Sequence, residues 1–361
     1  MDSPISINLA FLPVRPTGLA TYAINLLPYL QDLDPTLFIA EPREGFTCYP
    51  VPPNMTHEQG RKGHFSRLLW TQFQLPALYR QVRSRLLFSP VPEAPLFSDC
   101  RFVVTVHDLI PLRFFKKFTP LWSYQKYYMP QVLKQAEHIL CNSSATAQDI
   151  VNFFGIPARK ITPILLAHDA ANFRWLDLPT RNYFLYLGRN DPYKNLHRLI
   201  SAFASLPPQR SDYELWFAGP RDERYTEALI EHIEDLGLTN RVKFLSYVPY
   251  SELPVILNQA IALVMPSLWE GFGLPVLEAM ACGTPVITSN LSALPEVTGD
   301  AALLVDPYNE TAIAQAMQQV IEDSGLRSHL RQAGLARASQ FSWAKTGQKT
   351  IEVLEECGVG V

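Results

Sequence analysis

Short apolar runs alternate with amphipathic stretches along nearly the whole chain. Residues 5–10, 102–106, 139–141, 183–187, 213–218, 242–245 and 261–265 are short, mainly apolar segments, the pattern of strands buried in a parallel sheet. Helical spacing lies between them, with Ile24, Leu27 and Leu30 on one stripe and Leu196, Leu199, Ile200 and Phe203 on another. Pro28 falls inside the first stripe, where it predicts a kink. Residues 309–339 carry two more helical patterns, and FSWAKTGQKTIEVLEEC reads as a last helix. This alternation predicts α/β architecture with two doubly wound parallel sheets.

One stretch, SLWEGFGLPVLEAMACGTPVITS at residues 267–289, reads as loop, short helix and buried strand. Pro275 suits the first helical turn, and Cys282-Gly283 can close the helix. Gly271 and Gly273 let backbone approach a ligand at a helix N-terminus, a place that favours anions. Glu270 and Glu278 bracket that mouth, one on the loop and one a turn into the helix. Residue types alone also allow a tight turn with one solvated and one helix-favouring glutamate. Arg189 and Lys194 lie on a glycine-led loop after the apolar run 183–187, which suits a diphosphate or merely two surface cations. His107-Asp108 ends another apolar run, where ligands of open α/β sheets collect and where satisfied structural histidines are also common. Gly18 stands before the first helical stretch. Asp32-Leu33-Asp34 has the DxD pattern but falls at a helix end before Pro35, so it reads as a solvated terminus.

At 361 residues the chain has room for two domains with their own cores. A net charge of −3 and 47% hydrophobic residues carry no global pull toward nucleic acid. Five scattered cysteines without CxxC spacing argue against structural zinc and for a reducing compartment. No secretory leader and no membrane-spanning run is visible, so the expected location is cytoplasmic. Residues 59–136 depart from this background, with twelve Lys/Arg against three Asp/Glu, a local balance of +9. Aromatics are interleaved there. The region reads as a face for anionic lipid, a pocket for an anionic lipid-linked acceptor, or an ordinary basic outer surface over an aromatic core.

The 267–289 stretch, with its EGFGLP core and two glutamates with seven residues between them, resembles the motif of the family 4 retaining glycosyltransferases. HDLIP at residues 107–111, the Arg189…Lys194 element, LSYV at 245–248, ALPE at 293–296 and AALLVDP at 301–307 extend the resemblance over almost the whole chain. It implies the GT-B architecture, two Rossmann-like domains facing each other across a cleft. Their expected extents are 1–175 together with the terminal helix at about 342–361, which crosses back to the first domain, and 176–341 for nucleotide-sugar binding. By resemblance Glu270 and His107 lie by the donor sugar, Glu278 bonds the ribose, and Arg189 and Lys194 hold the diphosphate. The amides of Gly271, Phe272, Gly273 and Leu274 face sugar and phosphate oxygens, Gly18 belongs to a loop facing the diphosphate, and Tyr247 packs on the base or in the core. The family has a glycine two residues before the aspartate of the interdomain stretch, where this chain has Ala167.

The implied activity is transfer of a hexose from a nucleotide diphosphate sugar to a glycan or lipid-linked acceptor, with neither metal nor other cofactor. HDLIP and YKN look most like enzymes that add mannose in bacterial surface polysaccharide assembly, which places GDP-mannose ahead of a UDP-hexose. The competing readings are a sugar-nucleotide epimerase or hydrolase of the same architecture, and a non-catalytic sugar-nucleotide-binding protein.

Overall fold

The computed structural model describes residues 5–13, 18–114, 117–245 and 248–359. The chain forms two compact units, Met1–Leu166 with Trp343–Val361, and Ala167–Ser342. The junction falls between Leu166 and Ala167, ahead of the expected position near residue 175. Ala167 is buried and has no positive φ, so its backbone there does not require the family's glycine.

The first unit is built on β1 (Ile5–Asn8), β2 (Thr36–Ile39), β3 (Thr47–Pro50), β4 (Leu86–Ser89), β5 (Phe102–Val106), β6 (His138–Cys141) and β7 (Ile161–Pro163). They form one parallel sheet in the order β3-β2-β1-β4-β5-β6-β7. Every residue of β1, β2, β4 and β5 is buried, which requires cover on both faces and explains their mainly apolar character. Pro28 does not kink one long helix. It starts a change of type instead, from the α-helix Gly18–Leu26 to the 3-10 segment Leu27–Leu33.

The last helix, Trp343–Val359, belongs to this unit. Thr346 Oγ1 donates to the Leu165 carbonyl at 2.8 Å, and Arg101 Nη2 donates to the Cys357 carbonyl at 2.8 Å. Gly347 is the point of closest approach, because a Cβ there would lie 2.3 Å from Tyr29 Cβ.

The second unit contains β8 (Tyr183–Leu187), β9 (Glu214–Ala218), β10 (Val242–Phe244), β11 (Ala262–Met265), β12 (Val286–Ser289) and β13 (Leu303–Val305). They form a parallel sheet in the order β10-β9-β8-β11-β12-β13. Successive strands build outward from β8 on one side and from β11 on the other. The order therefore reverses between those two, the point at which open α/β sheets carry a ligand crevice outside the strands' carboxyl ends. The three central strands β8, β11 and β12 are buried throughout, each apolar side chain contributing about 1.5–3 kcal/mol. The crevice thus stands on the most rigid part of the sheet.

Helix propensity alone would make Gly347→Ala stabilising by about 1 kcal/mol. The Tyr29 contact reverses the sign, since overpacking costs about 1–3 kcal/mol. Gly347→Ala should therefore lower the urea midpoint of the full chain; a raised midpoint would mean that the last helix does not seat against Tyr29.

Candidate active site

Two strand-end turns are pressed together below the crevice. Gly188, after β8, has φ +150°, and Gly219, after β9, has φ +141°. A Cβ on Gly219 would sit 2.2 Å from the Gly188 carbonyl oxygen, so only glycine fits. Tyr186 holds the outgoing chain by donating its hydroxyl to the Arg189 carbonyl at 2.6 Å. The loop then passes Asp191, makes one 3-10 turn over Pro192–Lys194, and enters the helix Leu196–Ala204.

The loop leaving β11 meets it directly. Leu268 N donates to the Tyr193 carbonyl at 2.8 Å. Lys194 Nζ stands 2.7 Å and 3.0 Å from the two carboxylate oxygens of Glu270. Both side chains are largely buried. Ser292, in a left-handed conformation with φ +59°, accepts from Glu270 N at 3.0 Å and fixes the carboxylate's backbone. A buried pair of this kind repays its desolvation only with good geometry, and loss of either partner leaves an uncompensated charge. The pair is therefore neutral overall yet sets a directed cation beside a directed carboxylate.

Gly273, with φ +107°, turns the chain into the helix Leu274–Ala281. A Cβ there would lie 2.7 Å from Leu294 Cδ2, so the second glycine of EGFG is required by conformation and by space. Phe272 is buried against Phe341, while Gly271, Phe272 and Leu274 line the approach to the helix N-terminus with its partial positive charge. Pro275 falls in the first turn, as expected.

Arg189, at the start of the same β8 loop, is more than half exposed. Its Nε lies 3.1 Å from the buried Asp191, and Nη2 lies 3.6 Å from Asp222. Asp222 is pulled down to about 2, chiefly by hydrogen bonds from Arg224. Asp191, Asp222 and Ser292 were not among the expected site residues. Asp191 lies inside the Arg189…Lys194 element itself, whereas Asp222 and Ser292 come from separate loops with no motif of their own, and only the fold brings those two to Arg189 and Glu270.

Glu278 has different surroundings. Burial first, and then the charge of Asp169, raise its carboxyl to about 7. Tyr250 completes the cluster, its hydroxyl 3.4 Å from Asp169 Oδ2. Asp169, read in the sequence only as part of the interdomain stretch, is thus an electrostatic neighbour of the second glutamate.

His107 belongs to the first unit, at the carboxyl end of β5. Its Nε2 is 2.8 Å from the Pro90 carbonyl, which can only accept, so Nε2 carries the hydrogen. Nδ1 accordingly accepts from Asn142 Nδ2 at 2.9 Å. Burial pushes the ring's pKa down to about 4. His107 is neutral with both nitrogens engaged, which makes a proton-transfer role there poor. Asp108 Oδ1 accepts from Ile110 N and caps the next helix. Gly18 opens the helix Gly18–Leu26 on an exposed face, and residues 14–17 before it lie outside the described residues, as does Tyr247.

The basic region divides in the structure. Arg67 is turned inward onto the buried Glu93 at 2.6 Å and 2.8 Å, and Arg101 and Arg113 pair with Glu137 and Asp149. Trp70 and Trp122 are core residues, whereas Phe65, Phe73 and Phe118 are exposed.

A family model for glycosyltransferase family 4 matches residues 16–171, and one for glycosyl transferases group 1 matches residues 170–337. The chain belongs to the family 4 glycosyltransferases. This glycosyltransferase is 35% identical over 240 residues to the O-antigen chain mannosyltransferase B of Escherichia coli, covering 63% of each chain. It is 28% identical to the O-antigen chain mannosyltransferase RfbU of Salmonella typhimurium, covering 87% of this chain and 90% of that one. The match thus spans under two thirds of the first relative and most of the second. Among solved structures, Anabaena HepE in complex with UDP and glucose superimposes with a TM-score of 0.75 at 20% identity, over 98% of this chain and 99% of that one. That likeness shows the GT-B fold.

The glutamate of the glycosyltransferase's inner helix gives a pH signature. Its folded carboxyl binds a proton more readily than the unfolded one, which titrates near 4.5. The stability this contributes is full below about 4.5 and is lost as pH rises through about 7. The urea midpoint should fall between about pH 5 and about pH 8, and Glu278→Gln should flatten that slope. An unchanged slope in the variant would remove Glu278 as its source.

Proposed function

We propose that the protein is a retaining, metal-independent mannosyltransferase that moves mannose from GDP-mannose to a hydroxyl of a glycan or lipid-linked acceptor. The observation that carries this reading is the Lys194–Glu270 pair at the strand-order reversal of the second sheet, beside Arg189 and a glycine-led helix N-terminus. Breaking the bond between the anomeric carbon and the donor phosphate leaves negative charge on the diphosphate. Lys194, Arg189 and the helix N-terminus are charges suited to stabilise it, the task a divalent metal performs elsewhere. The acceptor oxygen forms the new bond on the same face, and its proton passes to the leaving phosphate oxygen. Glu270 orients the Lys194 ammonium, and its second oxygen is suited to a sugar hydroxyl. His107, neutral and held at both ring nitrogens, is poorly suited to acid–base work, and its place by the donor sugar rests on the family resemblance alone. Mannose rests on the names of the O-antigen relatives; the UDP and glucose of HepE make a UDP-hexose the competing donor.

Lys194→Met should lower kcat by about 10²–10³-fold, the loss seen when one donor to a developing oxyanion is removed. The assay is radiolabelled transfer from GDP-mannose or UDP-glucose to lipid-linked and free glycans, with EDTA or Mg²⁺, and NMR of the product anomer. Transfer abolished by EDTA would overturn the metal-free clamp. Sugar release without acceptor would favour the hydrolase, and full activity in Lys194→Met would sink the site.

The first unit adds a place for the reaction. The helix Gly60–Phe73 turns Phe65, Leu69 and Phe73, every fourth residue, toward solvent, with Arg61 and Lys62 exposed at its start. Phe118, Leu121 and Tyr127 are exposed beside Lys117 and Lys126. Exposed aromatics among cations suit the headgroup layer of an anionic bilayer, at the cytoplasmic face. Among the described residues no helix is long and apolar enough to cross a membrane, so contact would be peripheral. Vesicles containing phosphatidylglycerol should pellet the wild type, and Phe65→Ser with Phe73→Ser should weaken that binding about tenfold. Equal recovery from neutral vesicles, or no binding at all, would rule the surface out.

A further inference from the structure

Asn195 follows Lys194 and takes φ +64°, a region that side-chain residues other than asparagine and aspartate seldom occupy. It is almost fully buried. Its side-chain amide has two hydrogens, and both go to carbonyls of distant segments. Nδ2 donates to Pro266 at 3.0 Å, just past β11, and to Pro307 at 2.6 Å, just past β13. Oδ1 accepts from Arg198 Nη1 at 2.9 Å, and the backbone carbonyl accepts from Leu199 N at 3.2 Å. Three strand-end loops therefore meet on one amide. One of them carries Lys194 as the preceding residue, and another carries Glu270 shortly after Pro266.

We propose that Asn195 is a positioning residue that sets Lys194 against Glu270 and so places the ammonium on the donor diphosphate. It touches neither the donor nor the reacting atoms. The proposal rests on the reading of Lys194 as the diphosphate cation. The residue type follows from the geometry. Glycine would keep the left-handed backbone but leave two buried carbonyls without donors. Aspartate would set carboxylate oxygens against carbonyl oxygens. Serine would keep one donor of the two.

The test is a double-mutant cycle in the full chain with Asn195→Gly, Lys194→Met and the double variant. It is read by transfer kinetics and by calorimetric Kd for GDP with GMP and for UDP with UMP. Asn195→Gly should lower kcat/KM by about 10- to 100-fold, because a displacement near 1 Å of a catalytic group costs on the order of 10²-fold. It should weaken the diphosphate more than the monophosphate. In the Lys194→Met background the same change should cost less than about twofold, since the two act through one contact. Asn195→Asp should be worse than Asn195→Gly. If Asn195→Gly is recovered unfolded, Asn195→Ser supplies the same cycle at smaller amplitude. Equal losses in both backgrounds, or equal weakening of diphosphate and monophosphate, would overturn the proposal and leave Asn195 a purely structural pin. If Lys194→Met itself leaves transfer and diphosphate binding intact, the clamp reading fails first, a result distinguishable because it needs no Asn195 variant.

Discussion

The second unit depends on one topological constraint, the reversal of strand order between β8 and β11. Parallel strands cannot fold back on themselves, so the chain leaves their carboxyl ends in opposite directions at that point. Two loops that are far apart in sequence are thereby forced to share a wall. Lys194 and Glu270 are separated by 76 positions, yet their charged groups lie within hydrogen-bond distance. The sheet beneath is buried on both faces, so neither loop can retreat without disturbing the core.

The electrostatics of the crevice follow from unequal burial. Lys194 and Glu270 are shielded from water, where their attraction is strong and the loss of one partner is costly. Arg189 is open to solvent, where its contacts with Asp191 and Asp222 are weakened by water and salt. The buried cation has a fixed direction; the exposed one is free to exchange carboxylates for phosphate oxygens at small cost. Glu278 stands apart from both, because its neighbour is another acid rather than a base. Two glutamates in one motif thus receive opposite treatment from the same fold.

Much of this was legible in the residues. The second sheet could be read almost strand by strand, since its strands are apolar runs punctuated by glycine and proline. β2, β3, β4 and the three-residue β7 were not, for identifiable reasons. β2 follows directly on Asp32, Asp34 and Pro35, which read as a solvated helix terminus. β3 lies at the sheet edge with a mixed burial pattern, and β4 is preceded by Arg83 and Arg85, which read as surface. At the site, the charged residues of the motifs stood out, but their partners did not. Ser292, Asp222 and Asn142 act through single hydrogen bonds or ion pairs across the fold, and sequence spacing holds no trace of such contacts. The charge count over residues 59–136 also hid a distinction that only burial reveals, because Arg67 is held inward by Glu93.

The last helix has a consequence for how the chain is made. Because Trp343–Val359 packs with the first unit, the second unit is an insertion within it. On the ribosome, Ala167–Ser342 emerges whole while the first sheet still lacks its final helix. The inserted unit can therefore close its core during synthesis, whereas the outer one must wait for contacts between its opening and closing segments. The outer unit's completion therefore follows that of the inserted one. Quality control that acts on exposed apolar surface would meet the bare seat of that helix around Tyr29 before it meets any fault in the inserted unit.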